Sequence, residues 1–290
     1  AKIWRDVRAM LDKDYPEAAM VSEWCDPVKS LVYSGFHMDF YLDHRGNGYS
    51  TMFRFEENGE DHSFFSPEGK GDITVLTGEY VPALRATKDA GYISFFTCNH
   101  DTPRMTKTLD ETARKLAFCT IFTLPGIPFL YYGDEIGMKF QGQLESKEGG
   151  FSRTGSRTPM QWTEGKNLGF SSADGSKLYL PVDASSDAPT VESEEKRKDS
   201  IYHTVKDIIA LRRNNPDLGS DGPFEVVYAE EKKYPFIYRR GPFTVCVNPS
   251  AHESEAPFPF TMKETVYQIG SATAAAGRLR MGPQSFLLAK

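Results

Sequence analysis

Three short apolar runs, each closing on a group of polar or acidic residues, set the limits on how this chain can fold. Ala18-Ala19-Met20-Val21-Ser22 leads into Glu23-Trp24, Tyr92 to Cys98 leads into Asn99-His100-Asp101, and Pro128 to Tyr132 leads into Gly133-Asp134-Glu135. The runs do not alternate polar with apolar residues, the pattern of strands covered on both faces and therefore of a parallel sheet. Helical spacings lie around them. Ile3, Val7 and Met10/Leu11 mark an opening helix that should stop before Tyr15-Pro16, because a residue preceding proline avoids the α region. Within Tyr33 to Leu42 a further strand is expected around Phe36 to Phe40, followed by exposed turns at Glu60-Asp61 and Lys70-Gly71-Asp72 and a helix over Val75 to Ala86. Thr108-x-x-Glu111 has the form of a capping box ahead of a helical face made of Leu109, Ala113, Leu116, Thr120 and Leu124.

Repeated alternation of strand and helix implies parallel strands with crossover helices, hence an α/β barrel or doubly wound sheet whose site lies at the C-terminal ends of the strands. Polar groups at three such ends fit that placement, although strand ends are also where any chain leaves its core. From about 139 to 199 the sequence is rich in Gly, Ser, Asp and Pro and too long for an ordinary connection, so it reads as an excursion over the active face. A helix starting at Lys196-Arg197-Lys198, with Ile201, Val205, Ile208 and Ile209 as its buried face, ends near Asn214-Asn215-Pro216. After Gly222 the pattern changes to short strands, Phe224–Tyr228, Phe236–Arg239, Phe243–Val247 and Ser285–Leu288, separated by turn residues. The expected organisation is therefore residues 1–221, an α/β unit, and 222–290, a small antiparallel β domain.

Composition narrows the function classes. A net charge of −6 argues against nucleic acid, which selects for a clustered positive field. Thr120, Thr123, Pro125 and Pro128 interrupt the most apolar stretch, so no run reaches the roughly 20 residues a membrane span needs. The four cysteines, Cys25, Cys98, Cys119 and Cys246, are far apart and read as reduced and mostly buried. His37, His44, His62, His203 and His252 show no metal spacing, and neither a metal nor a cofactor is expected. The chain opens Ala-Lys-Ile-Trp inside a helical pattern, which leaves export undecided; a soluble protein, with the cytoplasm as the favoured compartment, is expected.

Cleaving an acetal between sugars takes an acid for the leaving oxygen and a carboxylate facing the developing positive charge. Glu23 and Asp101, at neighbouring strand tips, can supply both, whereas each alone would more often cap a helix. Asp39 reads as structural. Arg104 either pairs with a carboxylate near the substrate or forms an ion pair between loops, and Asp134 and Glu135 either support the site from below or shape a turn. Trp24 and Trp162 offer rings for sugar stacking, or fill space.

Met20-Val21-Ser22-Glu23-Trp24, Asn99-His100-Asp101 and Gly126-Ile127-Pro128-Phe129-Leu130-Tyr131-Tyr132-Gly133-Asp134-Glu135 resemble signatures of the α-amylase superfamily, glycoside hydrolase family 13, in the family's order. Arg157-Thr158-Pro159-Met160-Gln161-Trp162 is similar to an element of its α-glucosidase and trehalose-synthase-like branches. The resemblance implies strands five to eight of a (β/α)8 TIM-type barrel, followed by a small antiparallel β-sandwich. It implies a retaining glycoside hydrolase acting on short α-glucans or disaccharides, with Glu23 as general acid/base and Asp101 stabilising the transition state. His100, Asn99, Arg104 and Trp24 would contact the α-glucoside substrate. The family's nucleophilic aspartate, its partner arginine and an early Asp-x-x-x-Asn-His motif have no counterpart in this sequence; Phe36-His37-Met38-Asp39 lacks the required arginine. Negligible hydrolysis by the 290 residues alone is therefore expected, with the unpaired sheet edges covered by the missing N-terminal half of the barrel or by a second copy. A transglucosidase or disaccharide isomerase, and a non-catalytic sugar-binding or scaffold relative, are the alternatives.

Overall fold

Four parallel strands form the sheet that presents the site: β1 (Val21–Ser22), β2 (Met38–Phe40), β5 (Tyr92–Phe96) and β6 (Ile127–Phe129), in the order β1-β2-β5-β6. This computed structural model describes residues 1–41, 47–146 and 153–290; His44 and the end of the Tyr33–Leu42 segment lie outside them. Helix α1 (Lys2–Asp14) precedes β1, and a π-helical turn (Val28–Tyr33) joins β1 to β2. Between β2 and β5 come α2 (Ser50–Phe53), a hairpin of β3 (Glu56–Glu57) and β4 (Glu60–Asp61), and α3 (Ile73–Thr87). Helix α4 (Glu111–Thr123) connects β5 to β6, and α5 (Val191–Lys196) and α6 (Ile201–Asn214) follow the long excursion. Close approach of β5 to β6 depends on Gly126: its φ is +97°, and a Cβ there would lie 2.1 Å from the Ile93 carbonyl oxygen.

Beyond residue 222 the chain builds two antiparallel sheets. One runs β11-β14-β9-β8-β7 and uses β7 (Glu225–Tyr228), β8 (Phe236–Arg240), β9 (Phe243–Asn248), β11 (Thr265–Ile269) and β14 (Ser285–Ala289). The other runs β10-β13-β12 and uses β10 (Ser254–Pro257), β12 (Ala272–Ala275) and β13 (Arg278–Met281). Ile237, Cys246 and Leu287 of the first sheet pack with Ala256, Leu279 and Met281 of the second. The main core crosses from one part of the chain to the other: Phe95, Leu116, Phe118 and Phe122 are continuous with Phe236, Tyr238, Val245 and Phe286. This explains why α4 is buried from Leu116 to Thr123 around its whole circumference, since α6 covers one side and β9 and β14 another. Arg240, fully buried, ties the parts with hydrogen bonds to the carbonyls of Thr123, Gly219 and Pro223.

Several local expectations change. The first strand is only two residues long and is not covered on both faces, because among the described residues it is an edge strand paired with β2 alone, and Val21 is 40% exposed. Helix α4 is capped by Asp110, whose carboxylate accepts from the Ala113 amide at 2.7 Å, and not by Thr108, whose hydroxyl donates to the Phe53 carbonyl. Glu60-Asp61 is a hairpin strand and Gly71 is buried against the Phe64 backbone, while Asp72 caps α3. The helix expected from Lys196 onward is broken at Arg197, giving α5 with a Thr190–Ser193 capping box and α6 capped by Ser200. The last parallel strand ends at Phe129, short of Tyr132.

Candidate active site

Glu23 leaves the end of β1 with its side chain exposed, and the turn beneath it is held by Asp39. The Trp24 amide donates to Oδ1 of Asp39 at 3.3 Å and the Asp26 amide to Oδ2 at 3.0 Å. Cys25, between those two amides, has φ +62°, a left-handed conformation that costs a non-glycine residue energy and persists where its surroundings over-determine it. The fully buried carboxylate of Asp39 is that constraint, so Asp39 aims Glu23 from below.

The loop after β5 is fixed by its own side chains. Oδ1 of Asn99 accepts from the amides of Asp101 and Thr102, both at 2.9 Å, and the Thr102 hydroxyl accepts from the Asn99 amide. Asn99 thus spends its carbonyl oxygen on the turn that carries Asp101. The turn carries His100 and Asp101 to Glu23: one ligand atom from each of the three lies within 4.8 Å of the others, and all three residues are exposed. Nε2 of His100 is 3.5 Å from Oδ2 of Asp101. Trp24, 56% exposed, is next to the cluster in the chain, and Trp162 is 49% exposed on the excursion.

Two arginines that the sequence did not point to as site residues reach the cluster from the excursion. Arg153 donates to Oδ1 of Asp101 at 2.5 Å and Arg157 to the same oxygen at 3.1 Å, while Nε of Arg157 donates to the His100 carbonyl at 2.8 Å. Arg157 carried a signal, since it opens the Arg-Thr-Pro-Met-Gln-Trp element; Arg153, in a Gly- and Ser-rich stretch, carried none. Together they fix one oxygen of Asp101 and balance its charge.

Of the readings open for Arg104, the structure shows an ion pair between loops. Arg104 is fully buried, so it neither reaches the surface nor touches a ligand there. Its guanidinium donates to Oδ1 of Asp134 at 2.7 Å and to the carbonyls of Tyr132 and Ser156, and lies 5.0 and 5.1 Å from the ring centres of Tyr131 and Tyr132. Oδ2 of Asp134 accepts from Thr97 at 2.5 Å and Cys98 at 3.2 Å. This layer bolts the ends of β5 and β6 to the excursion below the exposed cluster. Burial raises the Cys98 thiol well above its usual range, so it is a neutral donor there. Burial also pushes the Glu135 carboxyl up, and among the described residues its Oε2 is enclosed without a hydrogen-bond partner.

An exposed carboxylate, an imidazole and a second carboxylate pinned by two guanidinium groups can exchange protons with a ligand and hold its hydroxyls, the requirements of acetal chemistry. The same three residues also offer atoms at a spacing a cation could bridge, a feature common in exposed acidic clusters.

The chain is similar to known proteins along most of its length. The sequence profile of the alpha amylase catalytic domain matches residues 1–221. A probable oligo-1,6-glucosidase 2 of Bacillus subtilis is 26% identical over 253 residues, which cover 74% of this chain and 42% of the relative. The trehalose synthase/amylase TreS of Mycobacterium tuberculosis is 32% identical over 142 residues, 44% of this chain and 23% of the relative. Among solved structures, an alpha-amylase from H. orenii superposes with a TM-score of 0.72 at 22% identity, covering 99% of this chain and 56% of that one. An isomaltulose synthase mutant from Erwinia rhapontici in complex with D-glucose gives a TM-score of 0.76 at 18% identity, covering 100% and 58%. The chain thus spans less than two-thirds of the length of each of these relatives.

Proposed function

The chain belongs to the alpha-amylase family, and from that premise we propose that it is part of an enzyme that cleaves or transfers α-glucosidic bonds, with Glu23 as proton donor and Asp101 as the carboxylate that stabilises the transition state. The observation that carries this reading is the meeting of Glu23, His100 and Asp101 within 4.8 Å at the C-terminal end of the parallel sheet. Glu23 protonates the glycosidic oxygen as the bond breaks. Asp101, its Oδ1 pinned by Arg153 and Arg157, presents Oδ2 toward the ring, where it holds hydroxyls and opposes the charge that develops at the anomeric carbon. His100 donates to a neighbouring hydroxyl. Asn99, Asp39 and Arg104 position these groups without touching substrate.

In this reading the reaction is retaining and passes through a glycosyl ester on a further carboxylate, which the 290 residues do not supply by any motif. Both outer edges of the parallel sheet, on β1 and β6, lack a strand partner among the described residues. Covering them with the remaining barrel strands, from a longer chain or a second copy, would also bring the nucleophile. The likeness to an oligo-1,6-glucosidase supports short α-glucosides as substrates. The likeness to a trehalose synthase favours one alternative, glucosyl transfer or disaccharide isomerisation, which uses the same acid and differs in how water is excluded.

The test is turnover of maltose, isomaltose and an aryl α-glucoside by the 290-residue chain alone and by the same chain joined to the N-terminal half barrel of a family relative. The chain alone should release nothing and the completed barrel should be active. In the completed barrel Glu23→Gln should lower kcat on maltose by about 10²- to 10⁴-fold, the usual contribution of a positioned acid, and less on the aryl glucoside, whose leaving group needs little protonation. An unimpaired Glu23→Gln enzyme on maltose would rule out the assignment.

A further inference from the structure

At the end of the parallel sheet opposite the Glu23–His100–Asp101 cluster, where β5 and β6 begin, the chain encloses a concavity of 560 Å³ between α3 and the first residues of the β domain. Ile93 and Pro125 are its buried floor, and Pro223 and Phe224 form an apolar wall. The Phe224 ring is braced by Tyr80 and Tyr238, at 5.7 and 5.6 Å between ring centres. The backbone carbonyls around the floor are already taken. Leu124 and Gly126 accept from Arg212, Pro125 from the Tyr80 hydroxyl, Ser220 from the Gly126 amide, and Pro223 from Arg240. Arg212 and Arg240 thus spend their guanidinium groups on carbonyls, and among the described residues neither is ion-paired. Burial first, and the charge of Arg240 second, hold the Arg212 guanidinium below its ordinary range, so the positive field beneath the floor has no carboxylate in contact with it.

We propose that this concavity binds a small organic carboxylate, one negative charge carried on an aromatic or aliphatic body. Arg85 and Lys88 line it from the end of α3, three positions apart and so on one face of the helix. Among the described residues their side chains have neither a hydrogen bond nor an ion pair, which leaves both free to donate to an anion. Cations at a helix end also answer its dipole, which explains their sign but not their convergence on a rigid apolar pocket. The body of the ligand lies against Pro223 and Phe224. A neutral saccharide fits poorly, because its hydroxyls would find no free carbonyl on the floor. Two carboxylates stand at the same mouth: Asp89 is exposed, and Oδ2 of Asp221 accepts from the Tyr92 hydroxyl at 3.1 Å. They oppose a dianion such as a phosphate ester and leave room for a single charge. The space falls within the about 300–1,000 Å³ that holds small ligands.

The experiment titrates the ¹⁵N-labelled 290-residue chain at neutral pH with phenylacetate, acetate, benzyl alcohol and phenyl phosphate. The amides of Gly126 and Gly222 report on the concavity and that of Asp101 on the opposite end of the sheet. Phenylacetate should move both glycine signals and leave Asp101 still. It should bind about tenfold more tightly than acetate, which lacks the body, and than benzyl alcohol, which lacks the charge. An Arg85→Ala/Lys88→Ala double variant should lose the advantage of phenylacetate over benzyl alcohol; both side chains are exposed, and near-UV circular dichroism checks that the variant stays folded. Phenylacetate affinity unchanged in the double variant, phenyl phosphate binding more tightly than phenylacetate, shifts confined to the turn around Asp101, or no binding at all each overturns the site.

Discussion

Arg104 and Asp134 show how a charged residue can govern the site without facing it. Breaking a buried pair from one side leaves an uncompensated charge, so Asp134→Ala should cost about 3–5 kcal/mol in urea unfolding, whereas the Arg104→Met/Asp134→Leu double variant should recover a large part of that loss. Thr97 and Cys98 lose their acceptor in both variants, which sets how complete the recovery can be. Glu135 gives a pH-dependent counterpart. Burial holds its carboxyl above the ordinary range in the folded chain. A raised folded value means that its contribution is most favourable below the unfolded value of about 4.3 and is lost as pH rises through the folded one. Glu135→Gln should therefore gain stability relative to wild type as pH rises above the unfolded value of about 4.3; a constant difference across that rise would show that Glu135 carries no such penalty. The sequence left both roles open, Arg104 as a partner of a carboxylate near the substrate or of another loop, Asp134-Glu135 as support from below or a turn, and could not choose between them. Burial is decided by what folds over them, here Tyr131, Tyr132 and Ser156.

At the scale of elements, the strands and helices of the α/β part were legible because apolar runs and helical spacing report burial directly. Their ends were less so. Thr108 and Asp110 both suit an N-cap, and Asp110 wins because Thr108 is turned toward the Phe53 carbonyl from the neighbouring α2. Asp110→Ala should lower stability by about 1 kcal/mol and Thr108→Ala by less, read from denaturant midpoints at equal m-values. Strands β10, β12 and β13 went unseen for a related reason. Ala272-Thr273-Ala274-Ala275 has little of the β-branched or aromatic content that marks a strand, and Ser254–Pro257 ends in a residue that local pattern assigns to a turn. Both become strands by pairing with Arg278–Met281, a neighbour that no local window contains.

For the whole molecule, the decisive fact is a core that runs from α4 into the five-stranded antiparallel sheet. Expressing residues 1–221 alone would expose Phe118 and Phe122 and strip Thr123 and Gly219 of their hydrogen bonds from Arg240, so that piece should lack a cooperative transition and near-UV signal that the 290-residue chain retains. A sharp two-state transition in the truncated chain would show that the shared core is dispensable. The sequence by itself determined the alternation of parallel strands and helices, the change to antiparallel strands after Gly222, and Glu23, His100 and Asp101 as the residues worth watching. Each of these is written in local spacing or in a short motif. Only the tertiary structure decided that Glu23 and the Asn99-His100-Asp101 turn converge, that Arg153 and Arg157 descend on Asp101 from the excursion, and that Arg104 lies beneath them all. Those facts depend on which strand lies beside which and on what a long loop packs against, and a contact between residues 50 or 80 positions apart leaves no period in the sequence to read.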